Sequence, residues 1–193
     1  MKTTIYMVRH AESPYNEGNE RTRGLTPNGK MKIENVTEIL MNEGIDIIIS
    51  SPYARAILSV EGLAQQLNLD IQIFEDLRER HFAGGDYSID NTELMSMIRE
   101  KFNEPDYAFP GGESNTVCQN RSVAVLTSIL KEYEGRKIAV GTHGLVMTLM
   151  MNHFDSNYGL DFLNQLKKPD IYRMEFEDSK LKEVTRLWNE PCC

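Results

Sequence analysis

Four clusters of chemically equipped residues punctuate this chain. Arg9 and His10 end the apolar run at residues 5–8, "IYMV", with no turn residue between. Burying a guanidinium is expensive unless it is paired or meets an anion. Either that run ends in solvent, or a negative group is meant to arrive there. Ser51 and Arg55 follow a second apolar run, "IDIIIS" at 45–50. Glu79, within "RERH", follows a third, "LDIQIF" at 69–74. Thr142, His143 and Gly144 lie where a fourth, "KIAVGT" at 137–142, gives way to the next segment. Two arginines, two histidines and a carboxylate would share one end of a sheet if these runs are parallel neighbours, and ligands of open α/β sheets bind at that end. Helix starts after the second and fourth runs would add backbone N–H donors. Such a pocket suits a phosphoryl group. Each member also has an ordinary reading: a structural histidine, a solvated arginine, a glutamate in a charged loop. Their coincidence after four different runs favours an anion-binding active site.

The elements that must position these groups are legible. Thr26 reads as an N-cap with Pro27 at the first helical position, and Gly44 closes that helix. Ser51 reads as the cap of a helix through "YARAILSVEGLAQQL", with Pro52 in its first turn. A short helix is expected near 92–102, and a long one capped at Ser114 and stopped by Gly135. "HGLVMTLMMNHF" forms the helix after the fourth strand, with Met147, Met150 and Met151 as core residues. "IYRMEFE" and "KLKEVTRLW" alternate like strands around a turn at Asp178 and Ser179. Alternation of strands and helices predicts an α/β fold of three layers (α/β/α) around a mostly parallel sheet. Residues 80–114, rich in Gly, Pro and aromatics, read as a loop and short-helix excursion that caps the active site. No repeat or linker tract interrupts the chain, so 1–193 reads as a single domain.

Composition narrows the partners. With 193 residues, 40% of them hydrophobic, the chain can bury a full core. Its formal charge of −8 provides no basic field for nucleic acid or anionic lipid, so an anion site must be a local pocket. No signal peptide or membrane span is expected. Three cysteines, Cys118 and the terminal pair Cys192 and Cys193, lack metal-ligand spacing and make a poor disulfide framework. A reducing, cytoplasmic setting is the default. The terminal pair reads as a tail, a prenylation signal being the remote alternative.

The residues that carry chemistry also carry a resemblance. "VRHAES" at 8–13, with Asn16 after it, is similar to the "RHGE" signature of the histidine phosphatase superfamily, the phosphoglycerate-mutase-like proteins. "SSPYARAILS" at 50–59 resembles the family's second motif with its arginine, and "LRERHFAGG" at 77–85 its acidic-residue loop. "FPGGES" at 109–114 is similar to the segment that opens the long helix, and "VGTHGLV" at 140–146 resembles the second-histidine motif. Five such motifs in family order span most of the chain.

The resemblance implies roles. His10 would be the nucleophile that becomes a phosphohistidine. Arg9, Arg55 and His143 would grip the phosphoryl oxygens, with Gly144 beside them. Asn16 would contact the phosphate, helped by Ser13. Glu79 would protonate the leaving oxygen and later activate water. No metal or other cofactor is implied. Two departures stand out. Ala11 replaces the usual glycine after the nucleophile, and "EGNERTRG" shortens the stretch after Asn16. Arg21 and Arg23 could reach a substrate anion from that loop, although solvated arginines are the simpler reading. The implied activity is a metal-independent phosphatase acting on a small phosphorylated metabolite. The alternatives are a phosphoglycerate-mutase-type isomerase and, more remotely, a non-catalytic phospho-ligand module. Arg80, His81, Arg99, Lys101, Tyr107 and Phe109 are candidates for setting the substrate, most of them reading equally as surface or packing residues. Whether the chain forms homo-oligomers is left open.

Overall fold

The structure is a computed structural model that describes residues 1–84 and 91–189. In chain order its elements are β1 (Lys2–Arg9), α1 (Pro27–Met41), β2 (Ile47–Ser50), α2 (Ala54–Leu67), β3 (Ile71–Ile73), a 3-10 turn (Glu75–Leu77), α3 (Asn91–Lys101), α4 (Asn115–Glu132), β4 (Lys137–Thr142), α5 (Gly144–Phe154), α6 (Leu160–Gln165), β5 (Asp170–Glu177) and β6 (Lys180–Arg186). The sheet order is β3-β2-β4-β1-β5-β6. Strands β1 to β4 run parallel, while β5 lies antiparallel to β1 and to β6. The mostly parallel sheet is therefore present, with the last two strands forming the expected antiparallel edge.

Two cores make it a three-layer sandwich. Successive side chains of a strand face opposite ways, and β1 divides accordingly. Ile5 and Met7 join Ile49, Ile138 and Val140 against α4 and α5, with Leu126, Ile129, Met147 and Met150 among the buried partners. Tyr6 and Val8 join Ile48 and Ala139 against Val36 and Leu40 of α1 and Val60 and Leu63 of α2. Fully burying one such aliphatic side chain is worth roughly 1.5–3 kcal/mol. Burial on both faces explains why the central strands read as unbroken apolar runs. Met147, Met150 and Met151 are core residues, as expected.

The caps behave largely as read. Thr26 Oγ1 accepts from Gly29 N at 3.0 Å, with Pro27 at N1. Ser114 Oγ accepts from Val117 N at 3.2 Å. The helix after β2 departs from expectation. Its N-cap is Tyr53 rather than Ser51; the Ser51 hydroxyl accepts from Tyr53 N at 3.3 Å ahead of the helix and also contacts a histidine described below. Strand β2 starts two residues later than expected; just before it, Asp46 N donates to Lys137 O at 2.8 Å and the Asp46 carboxylate accepts from Lys137 N at 2.8 Å. The short α6, with no side-chain cap, carries no sequence signal strong enough to be anticipated. Among the described residues no helix is long and apolar enough to cross a membrane. Cys192 and Cys193 lie outside the described residues, as does part of the 80–114 excursion.

Candidate active site

Strand β1 delivers His10 into the interior. The ladder continues one residue beyond the strand, His10 N donating to Thr142 O at 2.9 Å. The imidazole is buried, and its Nδ1 lies 2.6 Å from the Ala11 carbonyl. A carbonyl can only accept, so Nδ1 carries the proton. Arg55 Nε donates to His10 Nε2 at 3.3 Å, which requires a lone pair there. Two independent contacts thus assign one tautomer, with Nε2 as the nucleophilic nitrogen. Burial, then the charges of Arg55 and Arg9, holds the His10 pKa well below the ordinary histidine range. The ring is therefore neutral at pH 7. Ala11 itself is fully buried, and its N–H donates to Ser59 Oγ at 3.0 Å. The residue that departs from the usual glycine thus becomes the orienter of the nucleophile through its carbonyl.

Two arginines flank this ring. Arg9, the last residue of β1, donates through one terminal nitrogen to Leu166 O at 2.8 Å and Lys167 O at 3.2 Å. Among the described residues its Nε has no hydrogen-bond partner, and the side chain lines the cavity described below. Gly144 lies against it: a Cβ there would sit 2.9–3.1 Å from the Nη2, Cζ and Nε atoms of Arg9. Glycine at this helix start lets the guanidinium lie flat across the backbone. Arg55, the second residue of α2, is 1% exposed, the largest of the fully buried side chains among the described residues. It gives its Nη1 to Glu20 O at 2.5 Å and its Nη2 to Glu20 Oε2 at 2.9 Å.

His143 is completely buried behind His10, with the two ring centroids 5.2 Å apart in an edge-on arrangement. Its Nε2 is 2.7 Å from Ser51 Oγ, and Tyr53 packs edge-on at 5.1 Å. Among the described residues its Nδ1 has no hydrogen-bond partner. Burial, then Arg55 and His10, holds its pKa well below the ordinary range.

Glu79 reaches the same cavity from the loop after β3. Its Oε1 accepts from Arg80 N at 2.9 Å and Val146 N at 3.0 Å, and its Oε2 from Leu145 N at 3.1 Å. The first turn of α5 therefore grips the carboxylate through backbone donors, as helix N-termini do, while Oε2 keeps acceptor capacity toward the cavity. The loop is pinned from behind by Arg121 of α4, whose guanidinium donates to the carbonyls of Asp76 (2.6 Å), Arg78 (3.0 Å) and Glu79 (3.4 Å) and pairs with Glu113. Nothing in the spacing of Arg121 signals this role.

These groups surround a cavity of about 340 Å³. Arg9, His10, Arg55, Glu79 and Gly144 line it together with Tyr15, Glu20, Arg23 and Lys168, while Phe82, Leu94, Met95, Ile98, Leu145 and Leu163 form an apolar wall. Three expected residues are not part of its lining: His143, which stays buried behind His10, and Asn16 and Ser13. Asn16 is exposed and is not part of the lining. Ser13 is buried, but its hydroxyl accepts from Arg23 Nη1 at 3.0 Å instead of facing the cavity. Glu20 and Arg23, later in the same loop, line the cavity in place of Asn16. Arg23 is buried, against the simpler sequence reading, whereas Arg21 stays exposed and pairs with Glu75 at 2.5 Å.

Of the candidates in the excursion, Arg80 is a packing residue that donates to Glu113 O (2.8 Å), Asn115 Oδ1 (2.7 Å) and Tyr107 O (3.3 Å). Arg99 donates to Asn164, Lys101 pairs with Glu104, Phe109 is buried and His81 is exposed. The wall is apolar instead, and no polar motif marks it. Among the described residues no group of three or more His, Cys, Asp or Glu side chains is arranged to hold a metal ion.

Comparison with known proteins agrees with this arrangement. The model of the histidine phosphatase superfamily (branch 1) matches residues 5–190. The chain is 25% identical to the uncharacterized phosphatase PhoE of Bacillus subtilis, over 92% of this chain and 91% of that one. It is 26% identical to phosphoserine phosphatase 1 of Hydrogenobacter thermophilus, over 76% of this chain and 73% of that one. The solved structure of Bacillus stearothermophilus YhfR shares the fold, with a TM-score of 0.78 at 24% identity, covering 93% of this chain and 94% of that one. With the motifs in order, the sheet in register and the model matched almost from end to end, this chain belongs to the histidine phosphatase superfamily, branch 1.

Proposed function

We propose that this protein is a metal-independent phosphomonoester hydrolase that acts on a small phosphorylated metabolite through a phosphohistidine at His10. The observation that carries this reading is the tautomer of His10. A neutral imidazole with Nδ1–H on the Ala11 carbonyl presents the Nε2 lone pair beside Arg55. Nε2 attacks phosphorus, and the P–O bond to the leaving group breaks. Glu79, in its protonated form, gives its proton to the departing oxygen. Arg9 and Arg55 take up charge on the phosphoryl oxygens as the transition state forms, a task suited to forked donors. The resulting Glu79 carboxylate then accepts a proton from water, which attacks the phosphohistidine. Inorganic phosphate leaves and both residues are restored. His143 would support the nucleophile from behind by packing edge-on against its ring.

The leaving group would face Phe82, Leu94, Met95, Ile98 and Leu163. A cavity of this size falls in the range that holds drug-sized ligands, so an ester with an apolar leaving group fits better than a bare three-carbon acid. We read the chain as one domain in a cytoplasmic setting, with the 80–114 segment as a cap. The test is a panel of phosphate esters assayed with and without EDTA. Hydrolysis that survives the chelator is expected, and its loss would overturn the mechanism. Supplying 3-phosphoglycerate with its bisphosphate primer separates the mutase alternative, since efficient formation of 2-phosphoglycerate would displace the phosphatase reading.

A further inference from the structure

The Glu20 carboxylate holds an unusual position. Its side chain is 63% exposed, yet it binds two arginines that are 1% and 9% exposed. Arg23 Nε donates to Oε1 at 3.1 Å, Arg23 Nη2 to Oε2 at 3.2 Å and Arg55 Nη2 to Oε2 at 2.9 Å. Two oxygens of one anion thus accept from three guanidinium N–H groups within the cavity that contains His10. A phosphoryl group would present acceptors of the same kind. Arg55 is also the residue whose Nε reaches the nucleophilic nitrogen at 3.3 Å, so phosphorus brought to His10 comes within reach of that guanidinium.

The attachment of the loop does not depend on this carboxylate. The Glu20 backbone carbonyl separately accepts from Arg55 Nη1, Asn19 caps its own turn through bonds to Arg21 N and Thr22 N, and Ala54 N donates to Arg21 O. The side chain of Glu20 can therefore swing into solvent while Arg55 and the loop stay in place. Arg23 is likewise held from elsewhere, by Ser13 Oγ and by stacking at 4.9 Å over the Tyr15 ring.

We propose that Glu20 is an internal stand-in for the substrate phosphoryl group, that its displacement opens the site, and that the donors it releases make Arg23 a phosphoryl-binding residue alongside Arg55. This rests on reading the cavity as a phosphoryl site. The carboxylate competes with incoming phosphate, so the apparent affinity is lowered by the fraction of time the fork is free. With the fork occupied about nine-tenths of the time, relief should tighten binding about tenfold. Ionisation keeps the stand-in in place: burial pushes the Glu20 pKa up, but Arg55 and Arg23 outweigh it and hold it below the usual carboxylate range.

The experiment measures inorganic phosphate binding by titration calorimetry, which needs no turnover. Glu20→Gln should bind phosphate about tenfold more tightly than the wild type, and KM for a phosphate ester should fall in parallel. Arg23→Gln should bind about tenfold more weakly, and Arg23→Lys, which keeps the charge without the fork, severalfold more weakly. In the double variant the gain from Glu20→Gln should shrink to twofold or less, because both residues act on one anion. Crystals of the wild type with vanadate should show the Glu20 carboxylate away from Arg23 and Arg55. A Glu20→Gln protein that binds phosphate no better than wild type overturns the proposal, as does a vanadate complex with Glu20 still on both arginines. A full tenfold gain in the absence of Arg23 removes Arg23 from it. If the protein binds phosphate as described but hydrolyses no ester, the enzymatic reading fails while this one stands.

Discussion

Replacing Gly144 by alanine isolates what one backbone position does for catalysis. The added Cβ would lie 2.9 Å from Arg9 Nη2, 3.0 Å from Cζ and 3.1 Å from Nε. Optimal contact between such atoms begins near ~3.5 Å, so the guanidinium must retreat by roughly half an ångström. It has little freedom to do so smoothly, because its other terminal nitrogen is held at 2.8 Å on the Leu166 carbonyl. Misplacing a substrate-positioning group by about 1 Å can cost on the order of 10²-fold in rate, or about 2.7 kcal/mol. Stability should barely change. Alanine favours a helix over glycine by about 1 kcal/mol, which offsets the squeeze on Arg9. The expected result is a kcat/KM for an aryl phosphate lowered about 30- to 100-fold, with a melting temperature within a few degrees of wild type. In an Arg9→Lys background the same substitution should cost little, since the planar group it displaces is gone. A kcat/KM within threefold of wild type would refute the claim that Gly144 sets the position of Arg9.

Other consequences are equally direct. His10 and His143 stay neutral in the fold but take up protons once unfolded below about pH 6.5. Stability should therefore fall as pH drops from there toward their folded values, by up to ~1.4 kcal/mol per pH unit for each histidine. Urea melts at pH 7.0 and 5.5 measure this, and His10→Gln should halve the slope; a flat profile contradicts the burial of two neutral rings. Arg121→Ala should release the Glu79 loop and lower kcat about tenfold or more, and rescue by lysine should be partial, since three carbonyls use the fork. Phe82→Ala removes apolar contact worth roughly 1.5–3 kcal/mol when fully buried. KM for an aryl phosphate should rise at least severalfold, and that for phosphoserine should change far less; equal changes for both esters would place the leaving group elsewhere.

Legibility in the chain tracks local physics. The central parallel strands β1, β2 and β4 were legible because both their faces are buried, which leaves apolar runs followed by Arg9, Arg55 and His143, whereas the largely exposed edge strand β3 was legible from its alternating isoleucines. Thr26 and Ser114 were legible as caps because a side-chain hydroxyl before a helix start is a local signal. Ser51 carries the same local signal but stands two residues before the N-cap, where its hydroxyl also meets a buried histidine 92 residues away. Asn16 and Arg23 exchanged expectations for a related reason. The conformation of the loop after β1 decides which side chain turns inward, and neither residue type encodes that. The orienter of His10 is a backbone carbonyl, which no sequence pattern can single out. The anchoring of Glu79 by Arg121 joins two elements far apart in the chain and has no periodicity to reveal it.

The central claim is that His10 Nε2 attacks phosphorus. Rapid quenching in alkali during turnover of a reactive aryl phosphate, followed by intact-mass analysis and peptide mapping, tests it most directly. The account predicts a single acid-labile, alkali-stable phosphoryl group on His10, absent from His10→Ala and accumulating when Glu79→Gln slows the attack of water. Sustained hydrolysis with no phosphohistidine in either the wild type or Glu79→Gln, or full activity in His10→Ala, would contradict it.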